Sequence, residues 1–358
     1  MALTAFGTND PQTVKRWSTK SFRETLKSTF IFKFLGNSKR SILRLEEDLL
    51  STAGDTVKYD LLMQASGSGV AGDNEMRHNE EPLVYYQDSV VVDQLRNGHS
   101  FRRMAQQRTV HDLREDGSAS LSDWMTGKLD EYMFRYLCGD TTIDHGQTGV
   151  APDSDHYIVT GDVTKTGTIA TDEGNLSDND QIDLMDLDYA KELALTLSPE
   201  IQPVKIDGGE YYVFCAHPYA MTDIRTAANS SATIRWDEIQ QYANVRGLQN
   251  PIFSGSDGVY NNIILYQSTR IHSPVANVRR NLFLGSEAGV LAIANPYDKI
   301  DQRKFGKNLY MSWYEGTDDG GNEKYIIVGM VFGIKACVFN SKYRGHVVVS
   351  SYAASHAG

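Results

Sequence analysis

Residues 56–64 read TVKYDLLMQ and residues 83–95 read LVYYQDSVVVDQL, and the fold turns on how these two runs relate. In the first, Val57, Tyr59, Leu61 and Met63 face one way. Thr56, Lys58, Asp60 and Gln64 face the other, the period-2 pattern of a strand covered on one face. In the second, Val84, Tyr86, Val90 and Val92 share a face. Between them lies a polar tip punctuated by Gly67, Gly69 and Gly72. Together they predict one long two-stranded arm over 54–95, reaching roughly 30 to 40 Å at about 3.3 Å per residue. A hairpin that long is marginal alone in water. Its apolar face therefore calls for a surface outside the hairpin, and another subunit is the natural candidate.

Working outward, a long amphipathic helix is expected over 107–137. Leu113, Leu121, Met125, Leu129, Tyr132, Met133 and Tyr136 form one stripe, with Arg114, Asp123, Lys128, Asp130, Glu131 and Arg135 on other faces. Its length is on the order of 45 Å at about 1.5 Å per residue. Gly117 and Gly127 inside it each cost about 1 kcal/mol against Ala, which points to close approach by another backbone. Upstream, Val14, Trp17, Phe22, Leu26 and Phe30 predict a helix over 13–35. Downstream, Asp180 is placed as the cap of a helix running to Leu197, and Pro199 ends it. YYVFCA (211–216) reads as a buried strand and YAMTDIR as a short helix after His217-Pro218. Further strands are expected at 263–267, 282–284, 290–294, 325–331, 335–339 and 346–350.

The chain has 358 residues, 41% hydrophobic and 23% charged, enough for two domains and a substantial core. No apolar run approaches the roughly 18 residues of a membrane span, and the N-terminus lacks a signal-peptide pattern. Cys138, Cys215 and Cys337 are far apart and odd in number, which points to a reducing compartment without a disulfide framework. The net charge of −11 is unevenly spread. Residues 1–45 carry nine basic side chains, Lys15, Arg16, Lys20 and Arg23 among them, against Asp10 and Glu24. Residues 140–188 carry twelve acids against Lys165, and the stretch 139–180 reads as a long surface insertion. The basic run fits a solvated or subunit-pairing arm better than a nucleic-acid site. Apart from Trp17 and the Phe30, Phe32, Phe34 cluster, no aromatic platform for bases interrupts it.

Catalytic chemistry finds no foothold. Gly67, Gly69 and Gly72 match GxGxxG, but a dinucleotide fold needs a buried strand before and a helix N-terminus straight after. Here the strand is amphipathic, and DNEMRHNEEP follows. The pattern GxSxG is missing, Ser256 and Ser286 having the wrong spacing. The nine histidines form no HExxH and no i, i+4 pair. Asp178, Asp180 and Asp183 lack a calcium loop's glycine and terminal Glu. His217 fits a helix start, and Cys215 an inert thiol in an apolar strand. The expectation is no catalytic residue, no cofactor and no metal.

An ordered set of blocks carries a resemblance: KRWSTKSFRETLKSTFIFKFLG, GDTVKYDLLMQASGSGVAGD, NEEPLVYYQDSVVVDQLRN, QQRTVHDLREDGSASLSDWMTGKLDEYMFRYLCG, YYVFCAHPYAMTDIR, NLFLGSEAGVLAIA and VFGIKACVFN. It resembles the major capsid proteins grouped with podophage N-four, over nearly the whole chain and in the same order. The resemblance implies an α+β, Hong Kong 97-type (HK97-like) fold. It divides the chain into an N-terminal arm (1–38), an extended loop (39–103), a spine helix with the acidic insertion (104–179), an axial domain (180–304) and C-terminal strands of the peripheral domain (305–358). The acidic stretch is its main departure from the family pattern.

The expected function is structural: a major capsid subunit forming hexamers and pentamers in the icosahedral head of a tailed double-stranded DNA phage. Its partners would be itself, scaffolding, portal and possibly decoration proteins, and packaged DNA, with no membrane. It would reside in the virion after assembly in the host bacterial cytoplasm. Lys15, Arg16, Lys20 and Arg23, with Gly67, Gly69 and Gly72 at the loop tip, are the candidate assembly residues. Two rivals stand beside it: an encapsulin-like cargo shell of the same fold, and a dinucleotide-dependent enzyme built on residues 67–72.

Overall fold

The buried strand YYVFCA explains the architecture, because both of its faces are apolar. In the computed structural model, which describes residues 30, 33–38, 40–50, 54–62, 67–160, 172–206, 209–226, 256–297 and 309–356, it forms part of Gly209–Ala216 at the middle of a seven-stranded sheet. Val213 and Cys215 point into one core, while Tyr212, Phe214 and Ala216 point into another. Ile263–Gln267, Val278–Leu284 and His346–Tyr352 split their side chains between the same two cores. The apolar runs within these strands, 211–216, 263–266, 282–284 and 347–349, are the expected consequence of cover on both faces. The helices Leu184–Thr196 and Pro218–Thr226 cover one face. The other face shares its core with the long helix Leu113–Leu137.

That helix also packs on a second, six-stranded sheet. Its central member is Glu323–Ala336, fourteen residues long, or about 45 Å at 3.3 Å per residue. Asp93–Arg102 pairs along one side of it, and Met311–Asp318 and Gly289–Ala294 follow each other along the other side. Leu43–Glu46 runs parallel to Gly289–Ala294, and Leu35–Gly36 runs parallel to Leu43–Glu46.

The long helix starts later than its periodicity predicts. Arg103–Arg108 is a separate short helix, and Asp112 caps the long one by accepting the Arg114 and Glu115 N–H groups at 3.0 and 3.4 Å. Its 25 residues span about 37 Å rather than 45. Leu121, Met125, Leu129, Met133 and Tyr136 are buried as the stripe requires, and Phe134 joins them. Asp130, expected on a polar face, is buried and accepts the Phe30 N–H at 3.1 Å. Gly139, at φ 72°, ends the helix in a Schellman motif: its N–H reaches the Tyr136 carbonyl and the Asp140 N–H reaches that of Arg135. Side chains, not a backbone, crowd the internal glycines. Arg270 Nη1 donates to the Gly127 carbonyl at 2.5 Å, and His99 and Ile326 lie over Gly117.

Three other expectations change. The helix predicted over 13–35 falls mostly outside the described residues, but its last part is a strand, Leu35–Gly36, and Phe34 is buried. The cap at Asp180 belongs to Asp183, whose carboxylate accepts from Met185 and Asp186 while Asp186 answers in a capping box; Asp180 instead accepts from Ser177. The acidic stretch is not a surface insertion where it is described. Tyr157–Val159 is an edge strand beside His346–Tyr352, and Ile143, His156, Ile158 and Leu176 are buried. Its acids serve as partners: Glu173 holds Arg280 by two bonds of 2.7 and 2.8 Å, and Asp140 takes Arg135 at 2.7 Å.

Several buried histidines make stability depend on pH, and His346 is the most deeply buried of them. His346 is fully buried between the stacked Tyr343 ring and the Leu137 carbonyl, which its Nε2 meets at 3.0 Å. Burial, with the nearby His156, holds its pKa down to about 3 against 6.5 for the free side chain. A base depressed in the folded state costs nothing above pH 6.5. Below that pH the unfolded chain takes up the proton first, and stability drops by up to about 1.4 kcal/mol per unit. Urea unfolding at pH 6.5 and 5.0 should therefore show a loss to which His346 contributes about 1.6 kcal/mol, the part that His346→Asn removes. An unchanged pH slope in that variant would contradict this.

Candidate assembly surfaces

The hairpin is built as the alternation requires, but it is shorter and anchored differently. Thr56–Leu62 pairs antiparallel with Tyr85–Val91. The chain then turns at Val92 into Asp93–Arg102, which belongs to the six-stranded sheet. Val57, Tyr59, Leu61, Val90 and Val92 are all buried within the same chain. Val57, Tyr59, Val90 and Val92 cluster with Leu49, Val290, Ala292, Ala294 and Cys337. The base of the arm thus needs no second subunit, contrary to the sequence reading: the long strand Glu323–Ala336 offers an open face that those residues cover. Gly333 makes the approach possible, since a Cβ there would sit 2.2 Å from the Val91 carbonyl oxygen.

Asp88 fastens this base. Its carboxylate takes the Lys335 ammonium, the Tyr59 hydroxyl at 2.7 Å and the Val338 N–H at 3.3 Å. Lys335 also donates to the Ser89 carbonyl at 3.1 Å. Burial and the neighbouring Cys337 and Asp88 push the Tyr59 phenol far above its ordinary range, so it stays protonated as a donor. Beyond the anchor, Leu61 and Tyr86 line a cleft of about 170 Å³ with Pro199, Phe339, Lys342 and Arg344.

The tip is different. Residues 67–84 form turns and extended chain, and almost every one is exposed. Gly69 and Gly72 adopt φ of 67° and 71° with open space around them, and the Gly67 N–H donates to Glu81 Oε2 at 2.8 Å. No helix follows the glycines, so a pyrophosphate there would meet no helix N-terminus. Asp73, Glu75, Glu80 and Glu81 outnumber Arg77. The tip and the strand leaving it also present Met76, Leu83, Val84 and Tyr85 to solvent, at 51%, 71%, 43% and 58% exposure. Four large apolar side chains on one projecting segment mark an interaction surface. Alternation had placed Val84 inward with Tyr86. The paired strand begins only at Tyr85, three residues after Pro82, and that proline was the available signal.

The remaining candidates resolve locally. His217 Nδ1 accepts the Tyr219 N–H at 3.3 Å, a helix-start role. Cys215 is buried, and burial raises its thiol pKa well above the reactive range. Asp178, Asp180 and Asp183 do not converge, and among the described residues no three His, Cys, Asp or Glu side chains are placed to hold a metal ion. Lys15, Arg16, Lys20 and Arg23 lie outside the described residues.

A family model described as phage capsid protein matches residues 5–354. The major capsid protein of Pseudomonas phage KPP25 is 25% identical over 369 aligned residues, covering 94% of this chain and 92% of that protein. Among solved structures, the capsid of Ralstonia phage GP4 is 26% identical, with a TM-score of 0.78 over 93% of each chain. The capsid asymmetric unit of cyanophage Pam1 is 20% identical, with a TM-score of 0.70 over 92% of this chain and 94% of that one. The fold they share is the α+β, Hong Kong 97-type fold that the resemblance implied.

Proposed function

The chain belongs to the phage capsid protein family, and from that premise we propose how it builds a shell. It is a structural capsid subunit and not an enzyme. The proposal is that subunits form hexamers and pentamers of an icosahedral head around double-stranded DNA, with residues 67–85 as the main contact arm. The observation that carries it is the pairing of a base fastened in its own core with a tip whose Met76, Leu83, Val84 and Tyr85 remain 43–71% exposed. Completing the burial of such half-exposed side chains on a neighbour contributes about 1 to 2 kcal/mol each. Closed symmetry multiplies the contact over every copy.

The five-part division belongs to the same proposal, with two adjustments. Gly289–Ala294 goes with the spine-helix sheet, and His346–Tyr352 goes with the sheet around Gly209–Ala216. So do scaffolding, portal and decoration partners, assembly in the host cytoplasm, and placement near the podophage N-four group. The basic arm acts in assembly against acidic surfaces of neighbouring copies, since the rest of the chain is strongly acidic. Light scattering tests this reading. The native chain should reach capsomer or shell size, and replacing Lys15, Arg16, Lys20 and Arg23 with Gln should slow that growth, most visibly at low salt. Normal empty shells from the Gln variant, failing only in packaging, would make the arm a DNA contact instead.

A further inference from the structure

Two neighbouring arginines meet opposite fates. Arg279 and Arg280 follow each other in Val278–Leu284, so their side chains leave opposite faces of the seven-stranded sheet. Arg280 is matched: Glu173 takes it at 2.7 and 2.8 Å, and its Nη1 donates to the Cys138 and Gly139 carbonyls at 3.0 and 2.9 Å. Arg279 is half-buried, and among the described residues it makes no ion pair and no hydrogen bond. Its Nε is buried without an acceptor, and its guanidinium carbon lies 6.0 Å from the centre of the Tyr219 ring. Burial lowers its pKa, and no carboxylate works against that. Asp223, the acid on the helix that carries Tyr219, is taken by His356 at 2.8 Å. The guanidinium nevertheless keeps its charge and offers its N–H donors in a fixed plane.

A second unmatched donor sits beside it. His217, only 8% exposed, precedes the helix Pro218–Thr226 and accepts the Tyr219 N–H on Nδ1. The neutral ring therefore carries its proton on Nε2, where no acceptor among the described residues meets it. The ring is neutral because burial, and then the Arg279 charge, hold its pKa down to about 4. Both groups pack on Tyr219, whose ring centre lies 4.5 Å from that of His217. The His217 N–H donates to Asn281 Oδ1 at 3.2 Å, and Asn281 donates to Ser351 Oγ at 2.9 Å, so buried neighbours hold the histidine in place. We propose that Arg279, His217 and Tyr219 form a binding site for a small tetrahedral oxyanion, inorganic phosphate. Such an ion has oxygens enough to accept from the guanidinium and from His217 Nε2 together, in charge-assisted bonds. A carboxylate would match the arginine with its two oxygens and leave the imidazole donor over. A phosphate tied into a duplex reaches a nearly buried histidine less well than a free ion. The site lies in the seven-stranded sheet, apart from the hairpin tip, and does not depend on the shell reading.

Titration calorimetry of the full chain tests this, with inorganic phosphate replacing chloride at constant ionic strength. The native chain should bind phosphate saturably, and its melting temperature should rise with phosphate concentration, because the ligand binds the folded state. Arg279→Gln should weaken binding about tenfold or more and abolish that rise. In chloride it should melt no earlier than native, since it removes a half-buried charge that has no partner. Arg279→Lys, which keeps the charge without the planar fork, should bind between the two. Arg225→Gln, an equal loss of charge at the Asp257 pair, should bind as the native chain does. No saturable binding by the native chain, or equal binding by both Arg279 variants, would overturn the site. A native chain that takes a short duplex oligonucleotide through Arg279 but not free phosphate would make the arginine a DNA contact and also overturn it. So would assembly that needs Arg279 in a chain that binds no phosphate, which would assign the arginine to a carboxylate of another copy.

Discussion

Removing residues 66–80, or replacing Leu83, Val84 and Tyr85 together with Ser, should leave a folded chain that no longer builds particles. The folded state has little to lose, because the deleted tip is almost entirely exposed and the three apolar side chains are 43–71% exposed. Circular dichroism should show a melting transition within about 1 kcal/mol of native, as for surface substitutions. The assembled state loses several kcal/mol at every copy, since completing the burial of each of these three side chains contributes about 1 to 2 kcal/mol. Light scattering should then report small species at concentrations where the native chain scatters strongly. Particles of native size from either variant would remove the tip from assembly. Loss of cooperative melting would place it in the core.

Asp88→Ala should act on folding itself. The change strips the Lys335 ammonium, the Tyr59 hydroxyl and the Val338 N–H of their shared acceptor in one step. Lys335 is left with the Ser89 carbonyl at a site where its side chain is only 16% exposed. Breaking a largely buried pair by removing one partner costs about 3 to 5 kcal/mol, more than most surface pairs ever contribute. Asp88→Asn should lose less, since the amide oxygen still accepts from Tyr59 or Val338. Urea unfolding of the two variants gives the comparison. Because the same carboxylate fastens the hairpin base, Asp88→Ala should also weaken assembly under conditions where the chain remains folded. An alanine variant as stable as native would show that the hairpin base is held by its apolar cluster alone.

Legibility differed between elements for physical reasons. Strands buried on both faces and the stripe Leu121–Met125–Leu129–Met133 stood out, because burial on a fixed period writes itself into the sequence. YYVFCA and the hairpin alternation were read on the same ground. The long helix began six residues late because periodicity ran on through Gln107–Arg108, while the deciding signal was local: Asp112 with Glu115 three residues on. Asp183 displaced Asp180 as a cap for the same reason. Met311–Asp318 was missed, as its outward face carries Tyr314, Gly316 and Asp318 rather than a run of β-branched residues. The acidic stretch misled most, since Glu173 and Asp140 count as solvated charge until Arg280 and Arg135 are seen beside them.

The candidate surfaces followed the same division. The tip glycines were located correctly and read as loop, but the exposed Leu83, Val84 and Tyr85 carry apolar identity that in sequence signals burial. Exposure of such residues is a tertiary fact. It depends on where the strand Tyr85–Val91 begins to pair, and only the fold shows that.

Negative-stain microscopy of the purified full-length chain, at low and moderate salt and with a scaffold protein added, tests assembly most directly. Rings of subunits or closed shells, absent from the 66–80 deletion under the same conditions, are the predicted images. A chain that remains monomeric in every condition, or a deletion variant that closes shells like the native one, would contradict it.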